Sequence, residues 1–278
     1  MKIGYLGPQN SFTYQAACES FRNEEMVPFG SIPLCIQALA DGKVQRAVVP
    51  NENSLEGSVH ATIDTLFRQK ELTIEQEVIL PINHQLLTAH PDQPIAKIIS
   101  HPQALAQCTA FLQQHFPDVP IEAVASTTTA AAFVAEHPEE PVAAIASKKA
   151  ATGYGLFIQK ENIQDTTSNQ TRFWILQKTT PTNPFHDKAT KATVYVTLPT
   201  NRPGSLHQIL AAFGWRGIDL SKIESRPLKT SLGEYFFVID LVLNQPWPLI
   251  ENAFQEIRML DCNVHLLGTY AVREIGKK

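Results

Sequence analysis

The chain has 278 residues, 44% of them apolar and 18% charged, with a formal net charge of -4. That length supports more than one domain with its own core, and the composition is that of a globular chain rather than a disordered one. The mildly acidic balance gives no electrostatic basis for holding nucleic acid, and no apolar run approaches the roughly 18 residues of a membrane-crossing helix.

In chain order, KIGYLG reads as a strand and FTYQAACESFR as a helix with Ala16, Ala17, Cys18 and Phe21 on one side. MVPFG is a strand. SIPLCIQALADG is a helix with Ser31 as N-cap, Pro33 in the first turn and Gly42 at the exit. QRAVVP is the next strand, with a helix beyond Gly57 through HATIDTLFRQ. TIEQEVILPINHQLLTA is too long for one ordinary strand and is expected to carry the chain from one α/β lobe to another. KIIS, IEAVA and VAAIA are short buried strands, the first two followed by helices opening at HPQALAQCTAFLQQ and STTTAAAFVAE. TRFWILQ, with Phe173, Trp174, Ile175 and Leu176 as a buried run, brings the chain back. This alternation predicts mainly parallel sheets covered on both faces.

KTTPTNPFHDKATK breaks the pattern and reads as an interdomain linker. Beyond it, ATVYVTL, the helix PGSLHQILAAFGWRG, the strands IDLSKIESRP and GEYFFVIDLVL, the helix WPLIENAFQEIRML and the strand NVHLLGTYAV give βαββαβ, the ferredoxin-like order. The expected division is 1–179, a linker at 180–190, and 191–278. Cys18, Cys35, Cys108 and Cys262 form no CxxC pair and read as buried reduced thiols. Gly and Pro interrupt MKIGYLGPQN before a secretory core forms, so a cytoplasmic location is expected.

In open parallel sheets, ligands bind where strand ends lead into helix N-termini. Polar clusters stand there: GPQNSFT, NENSLEGS, SHPQ and STTT, with Asn169, Thr171 and Arg172 where TRFWILQ begins. Hydroxyls, amides and helix N-termini on one rim, with Arg172 added, suit a small anion with more than one acidic group. Each residue alone has a plainer reading. Ser31, Ser126 and either Ser11 or Thr13 stand where N-caps stand, His101 before Pro102 suits a cap, Glu52 and Asn53 suit a turn, and Arg172 suits a surface ion pair. GYLG lacks the third glycine of a dinucleotide fingerprint, and the chain has no P-loop, no HExxH and no GxSxG. Ordinary side chains are therefore expected to do the chemistry, with no cofactor and no metal.

In sequence order, GPQNSFT, VPNENSLEGSV, SHPQALAQC, STTTAA, NIQD and NQTRF, followed by PGSL and IESRP, resemble the blocks of bacterial prephenate dehydratases with a C-terminal ACT regulatory domain. The resemblance implies a two-lobed α/β catalytic domain of the type 2 periplasmic-binding-protein kind, with its active site between the lobes. It implies decarboxylative dehydration of prephenate to phenylpyruvate, with feedback inhibition by L-phenylalanine at an interface between ACT domains of a homodimer or dimer of dimers. By position, the implied catalytic residues are Thr171, Arg172, Glu52, Asn53 and Gln103, and the substrate-binding ones Ser11, Thr13, Ser54, Ser100, His101, Thr127, Asn169 and Phe173. The implied effector site is Gly204, Ser205, Leu206, Glu224, Ser225, Arg226 and Pro227. Either Thr171, polarised by Asn53, Gln103 and Ser100, or Glu52 supplies the proton to the leaving hydroxyl, and Arg172 holds a carboxylate. The chain departs from the family pattern at Asn10, where glycine is usual, at Asn51, where an apolar residue is usual, and at Ser205, where alanine is usual. Alternative readings are an arogenate dehydratase and a non-catalytic amino-acid sensor.

Overall fold

The expected alternation is present in the computed structural model, which describes residues 1–178, 188–199, 203–228 and 234–276. The first strand, β1 (Lys2–Leu6), leads to α1 (Phe12–Ser20), β2 (Glu25–Phe29) to α2 (Ile32–Ala40), and β3 (Arg46–Asn53) to β4 (Gly57–Ser58) and α3 (His60–Leu66). Next come β5 (Leu72–Pro81), β6 (Gln85–Thr88), β7 (Lys97–Ser100), α4 (Pro102–Ala106), α5 (Thr109–His115), β8 (Ile121–Ala123) and α6 (Thr127–Glu136). After β9 (Val142–Ala146), α7 (Lys148–Tyr154) and β10 (Phe157–Lys160), the chain returns through β11 (Gln170–Lys178). The rest is β12 (Lys191–Thr197), α8 (Ser205–Gly214), β13 (Leu220–Pro227), β14 (Tyr235–Val242), α9 (Trp247–Met259) and β15 (Asn263–Glu274). The linker expected at 180–190 lies, up to residue 187, outside the described residues.

Contacts group the chain into two units. One comprises Met1–His60, Val78–Phe173 and Glu274–Lys278; the other comprises Ala61–Glu77 and Trp174–Arg273. The first unit holds two sheets. In one, the order is β5-β11-β3-β1-β2, of which β5 from Val78 and β11 up to Phe173 fall in this unit, with β1 parallel to both of its neighbours. In the other, it is β10-β6-β9-β7-β8, with β7 parallel to β8 and β9. Each lobe thus sets the first of its three parallel strands, β1 or β7, between the other two, as expected for a type 2 two-lobed domain. Strand β9 shows why VAAIA is apolar throughout. Ala144 and Ala146 pack with Ala130 and Ala150, while Ala143 and Ile145 face Ala104, Cys108 and Leu112 on the opposite side.

Three expectations differ in detail. IEAVA, expected as a buried strand, supplies β8 at the edge of its sheet, with Ile121, Glu122 and Ala123 exposed. The run TIEQEVILPINHQLLTA divides into β5 and β6 at 82–84, where the backbone turns away to bond elsewhere. Ile82 N–H donates to the Asn169 carbonyl and His84 N–H to Gln164 Oε1, both at 2.9 Å. The helix expected across HPQALAQCTAFLQQ breaks into α4 and α5 at Gln107 and Cys108. Cys108 leaves helical geometry at φ -121° and ψ 19°, and the Asp165 carboxylate accepts the Ala110 N–H near the start of the second helix. Helix α7 and strand β10 had no counterpart in the sequence reading.

The second unit carries the ferredoxin-like order β13-β14-β12-β15, antiparallel throughout. One face packs α8 and α9 through Ile209, Phe213, Ile250 and Phe254 over Val194, Val196, Ile239 and Leu241. The other face packs α3 and the residues that follow it. Tyr195 Oη donates to the Ile63 carbonyl at 3.1 Å, Phe67 stacks on Phe236 at 4.0 Å, and Arg226 donates twice to Asp64 at 3.1 and 3.0 Å. The cysteines are free thiols, three of them buried. Burial pushes the Cys35 and Cys108 thiols up to about 12.

Candidate active site

Between the two lobes of the first unit lies a cavity of about 460 Å³, a size suited to a small ligand. From the first lobe it is lined by Ser11, Phe12 and Thr13 at the start of α1, and by Pro50, Asn53, Glu56 and Val59 around the end of β3. The second lobe contributes His101, Gln103 and Gln107 along α4, and Ser126, Thr127 and Thr128 at the start of α6. Ile82 and His84 from one crossing segment, and Asn169, Thr171 and Phe173 from the other, complete the wall. No lysine or arginine lines it among the described residues.

Local physics places these groups. Ser11 caps α1 by accepting from Tyr14 N–H at 3.2 Å, and Ser126 caps α6 by accepting from Thr129 N–H at 2.9 Å. His101 Nδ1 accepts from Gln103 N–H at 3.3 Å. Neither α1 nor α6 has an acid in its first turn, so one uncompensated helix N-terminus from each lobe faces the cavity. Asn10 adopts φ 67°, the left-handed conformation that asparagine tolerates. Gly153 of α7 lies so close that an added Cβ would stand 2.2 Å from the Asn10 amide nitrogen.

The central feature is a chain of amides whose orientation is dictated by donor and acceptor rules. Asn53 Oδ1 accepts the N–H groups of Leu55 and Glu56 at 3.0 and 3.1 Å, a task only the oxygen can perform. Its Nδ2 must therefore donate, and it does so to Asn169 Oδ1 at 2.8 Å and to Thr171 Oγ1 at 2.9 Å. Asn169 in turn donates through Nδ2 to Gln107 Oε1 at 2.9 Å. That oxygen also meets His84 Nε2 at 3.0 Å, so the imidazole nitrogen is the donor. Two ends of the chain are left over. The Thr171 oxygen is occupied as an acceptor, and its own hydrogen has no acceptor among the described residues. The Gln107 amino group is buried without a partner among them.

Other implied residues lie elsewhere. Arg172 and Glu52 are not among the cavity-lining residues. They pair with each other at 2.5 Å between neighbouring strands. Ser100 is fully buried and donates to the Ile145 carbonyl at 2.6 Å. Ser54 accepts from Gln170 N–H at 3.0 Å and ties the turn after β3 to the start of β11. Gln107, His84 and Glu56 line the cavity but were not singled out from the sequence. The signal available for Gln107 was its spacing of four from Gln103, which a continuous helix would have turned into one shared face.

In the second unit, Gly204 N-caps α8 at φ 86°, a conformation that suits glycine. Ser205 and Leu206 open the helix. On β13, Ser225 pairs with Phe237, whose side chain belongs to the helix-covered core. The intervening residues Glu224 and Arg226 pair with Val238 and Phe236, and their side chains point to the opposite face, where Asp64 engages Arg226. Pro227 ends the strand. The implied effector residues are therefore divided between two faces of one sheet.

Residues 3–181 match the family model described as prephenate dehydratase. The chain belongs to the prephenate dehydratase family. It is 45% identical over its full length to the full-length prephenate dehydratase of Lactococcus lactis subsp. lactis (strain IL1403). It is 47% identical to that of Bacillus subtilis (strain 168), covering 97% of this chain and 98% of that one. Among solved structures it resembles a prephenate dehydratase from Arthrobacter aurescens in complex with L-Phe. The TM-score is 0.87, at 32% identity, with 98% of this chain and 90% of that one covered. The family-model match takes in every residue of the amide chain, and the full-length relatives span the ferredoxin-like unit as well.

Proposed function

We propose that the protein converts prephenate to phenylpyruvate, carbon dioxide and water, and that the cavity between the lobes is where it does so. The observation that carries this is the Thr171 hydroxyl, which accepts from Asn53 and leaves its hydrogen free at the cavity wall. Prephenate has two carboxylates and a ring hydroxyl. The bond from the ring to its carboxylate breaks, and the electron pair moves into the ring. The bond to the hydroxyl oxygen breaks at the opposite carbon, and the ring becomes aromatic. The departing oxygen needs a donor as charge develops on it, and Thr171, polarised by the Asn53 amide, supplies that hydrogen bond. Solvent makes up the net proton in the water released. The amino group of Gln107 is buried and has no protein partner among the described residues.

In this reading the substrate's carboxylates are held by the N-termini of α1 and α6, one from each lobe, together with Ser11, Thr13 and Thr127. Arg172 and Glu52 support β3 and β11 through their ion pair rather than touching the substrate. His101 and Gln103 shape the second-lobe wall, and Phe173 the floor. The reading divides the chain into a catalytic domain over 1–179 and a regulatory ACT domain over 191–278. L-Phenylalanine binds the latter at the Gly204–Leu206 helix start and the Glu224–Pro227 strand, between two copies of the chain in a homodimer or dimer of dimers. The relative solved in complex with L-Phe supports phenylalanine as a ligand. No helix among the described residues is long and apolar enough to cross a membrane, and the cytoplasm is the expected location.

The test is to incubate the protein with prephenate and follow phenylpyruvate, with and without phenylalanine, and with arogenate in parallel. Turnover of prephenate that phenylalanine suppresses is expected. No phenylpyruvate, or turnover of arogenate alone, would overturn the assignment.

A further inference from the structure

We propose that His84 is a positioning residue for this reaction: its Nε2–H fixes the Gln107 amide and, through it, the chain of donors that ends on Thr171. The inference rests on the dehydratase reading of the cavity. It adds a residue from the segment between β5 and β6, which carries no hydroxyl or carboxylate of its own into the cavity.

The geometry is specific. The imidazole is only 3% exposed. Its backbone is held on both sides, since His84 N–H donates to Gln164 Oε1 and its carbonyl accepts from Ile163 N–H, both at 2.9 Å. Gln164 in turn donates to Asn83 Oδ1 at 2.9 Å, so the two segments that cross between the lobes are laced together at this histidine. The ring meets Phe12, the first residue of α1, edge-on at 5.9 Å and 80°. The ring therefore has little freedom to turn.

The hydrogen count follows. Gln107 Oε1 already accepts from Asn169, and an oxygen cannot donate, so the proton shared with His84 belongs to the histidine. The ring is then the Nε2–H tautomer, and its Nδ1 is bare; that atom is buried and has no hydrogen-bond partner. Burial also lowers the pKa of His84, which keeps the ring neutral. Without this donor, Asn169 Nδ2 alone holds the Gln107 amide in its orientation. A rotated amide sets an N–H₂ group against Asn169 Nδ2. Asn169 would then lose its acceptor, and Asn53, which donates to both Asn169 and Thr171, would lose a fixed partner. His84 touches none of the reacting atoms in this arrangement, but it shares with Asn169 the holding of the Gln107 amide.

The experiment compares His84→Phe, which keeps a ring against Phe12 but removes the donor, with His84→Gln, which restores an N–H. Losing one well-placed donor in a buried chain is expected to lower kcat by about ten- to a hundredfold in His84→Phe, with KM changed less than about threefold. His84→Gln should recover most of that loss, and adding Gln107→Leu to His84→Phe should cost little more than Gln107→Leu alone. A His84→Phe enzyme with kcat near the wild-type value would overturn the proposal. So would equal losses in the phenylalanine and glutamine variants, or fully additive losses in the double variant. A separate readout needs no activity: ¹⁵N spectra of histidine-labelled wild-type protein should show one ring protonated at Nε2 and bare at Nδ1, lost in His84→Gln. The reverse tautomer would overturn the proposal even if His84→Phe failed to fold. Wild-type protein inert toward prephenate would overturn the dehydratase reading instead, leaving the tautomer to be judged on the spectrum.

Discussion

Replacing Thr171 with valine separates catalysis from folding. Valine keeps the branched shape of threonine and loses only Oγ1. In the folded protein that oxygen takes one hydrogen bond from Asn53 Nδ2, which retains Asn169 Oδ1 at 2.8 Å and the Gln170 carbonyl at 3.2 Å. The donor is not orphaned, so the stability cost is about 1 kcal/mol or less, or a fall in Tm of about 2–4 °C for a chain of this size. Activity has no such reserve, because on this reading Thr171 is the group that faces the departing oxygen. Loss of general-acid assistance of about a hundred- to ten-thousandfold corresponds to about 3–5.5 kcal/mol of barrier. The assay pairs steady-state phenylpyruvate formation with a thermal melt. Thr171→Ser, which returns the hydroxyl, should regain most of the rate. A valine variant that keeps more than a third of wild-type kcat, or whose rate loss merely follows a large loss of folded protein, would refute the role given to Thr171.

Further measurements bear on other parts of the molecule. Asn51 is fully buried with neither side-chain polar atom hydrogen-bonded among the described residues; Asn51→Leu should raise stability to denaturant by about 1–3 kcal/mol, and a loss would show that the amide has a partner. Asp64→Asn weakens the double hydrogen bond to Arg226, and the denaturation midpoint should fall by an amount equivalent to about 1.5–3 kcal/mol; an unchanged midpoint would reduce the contact to a surface pairing. His84 and His265 both have pKa values lowered chiefly by burial. The unfolded chain therefore binds more protons than the folded one below the ordinary histidine value of about 6.5, so stability is full above that pH and falls as the pH drops below it. His84→Gln should flatten this slope in melts taken between pH 5 and 7, and an unchanged slope would place the titration elsewhere.

What could be read from the chain alone follows from the range of the forces involved. Caps are local, and Ser11, Ser31, Ser126 and His101 all stand at helix starts with their side chains accepting from the first turn. Strand-end clusters are nearly as local, and Ser11, Thr13, Asn53, His101, Gln103, Thr127, Asn169, Thr171 and Phe173 all line the one cavity. Gln107 was passed over because the helix break that turns it toward Asn169 depends on Asp165, more than fifty residues away in sequence. His84 lay inside an apolar run, where a single histidine has no periodicity to mark it. The pairing of Arg172 with Glu52 needed the knowledge that β11 lies beside β3, which no local pattern states.

The packing of α3 beneath the ferredoxin-like sheet has a practical outcome for anyone dissecting this enzyme. A fragment ending near residue 179 would still carry Ile63, Asp64 and Phe67, but Tyr195, Arg226 and Phe236 would be missing, and an oily, half-charged ledge would be bared to solvent. Scissors placed at the expected linker therefore cut through a shared foundation. Solubility of such a fragment should depend on first redesigning those three side chains.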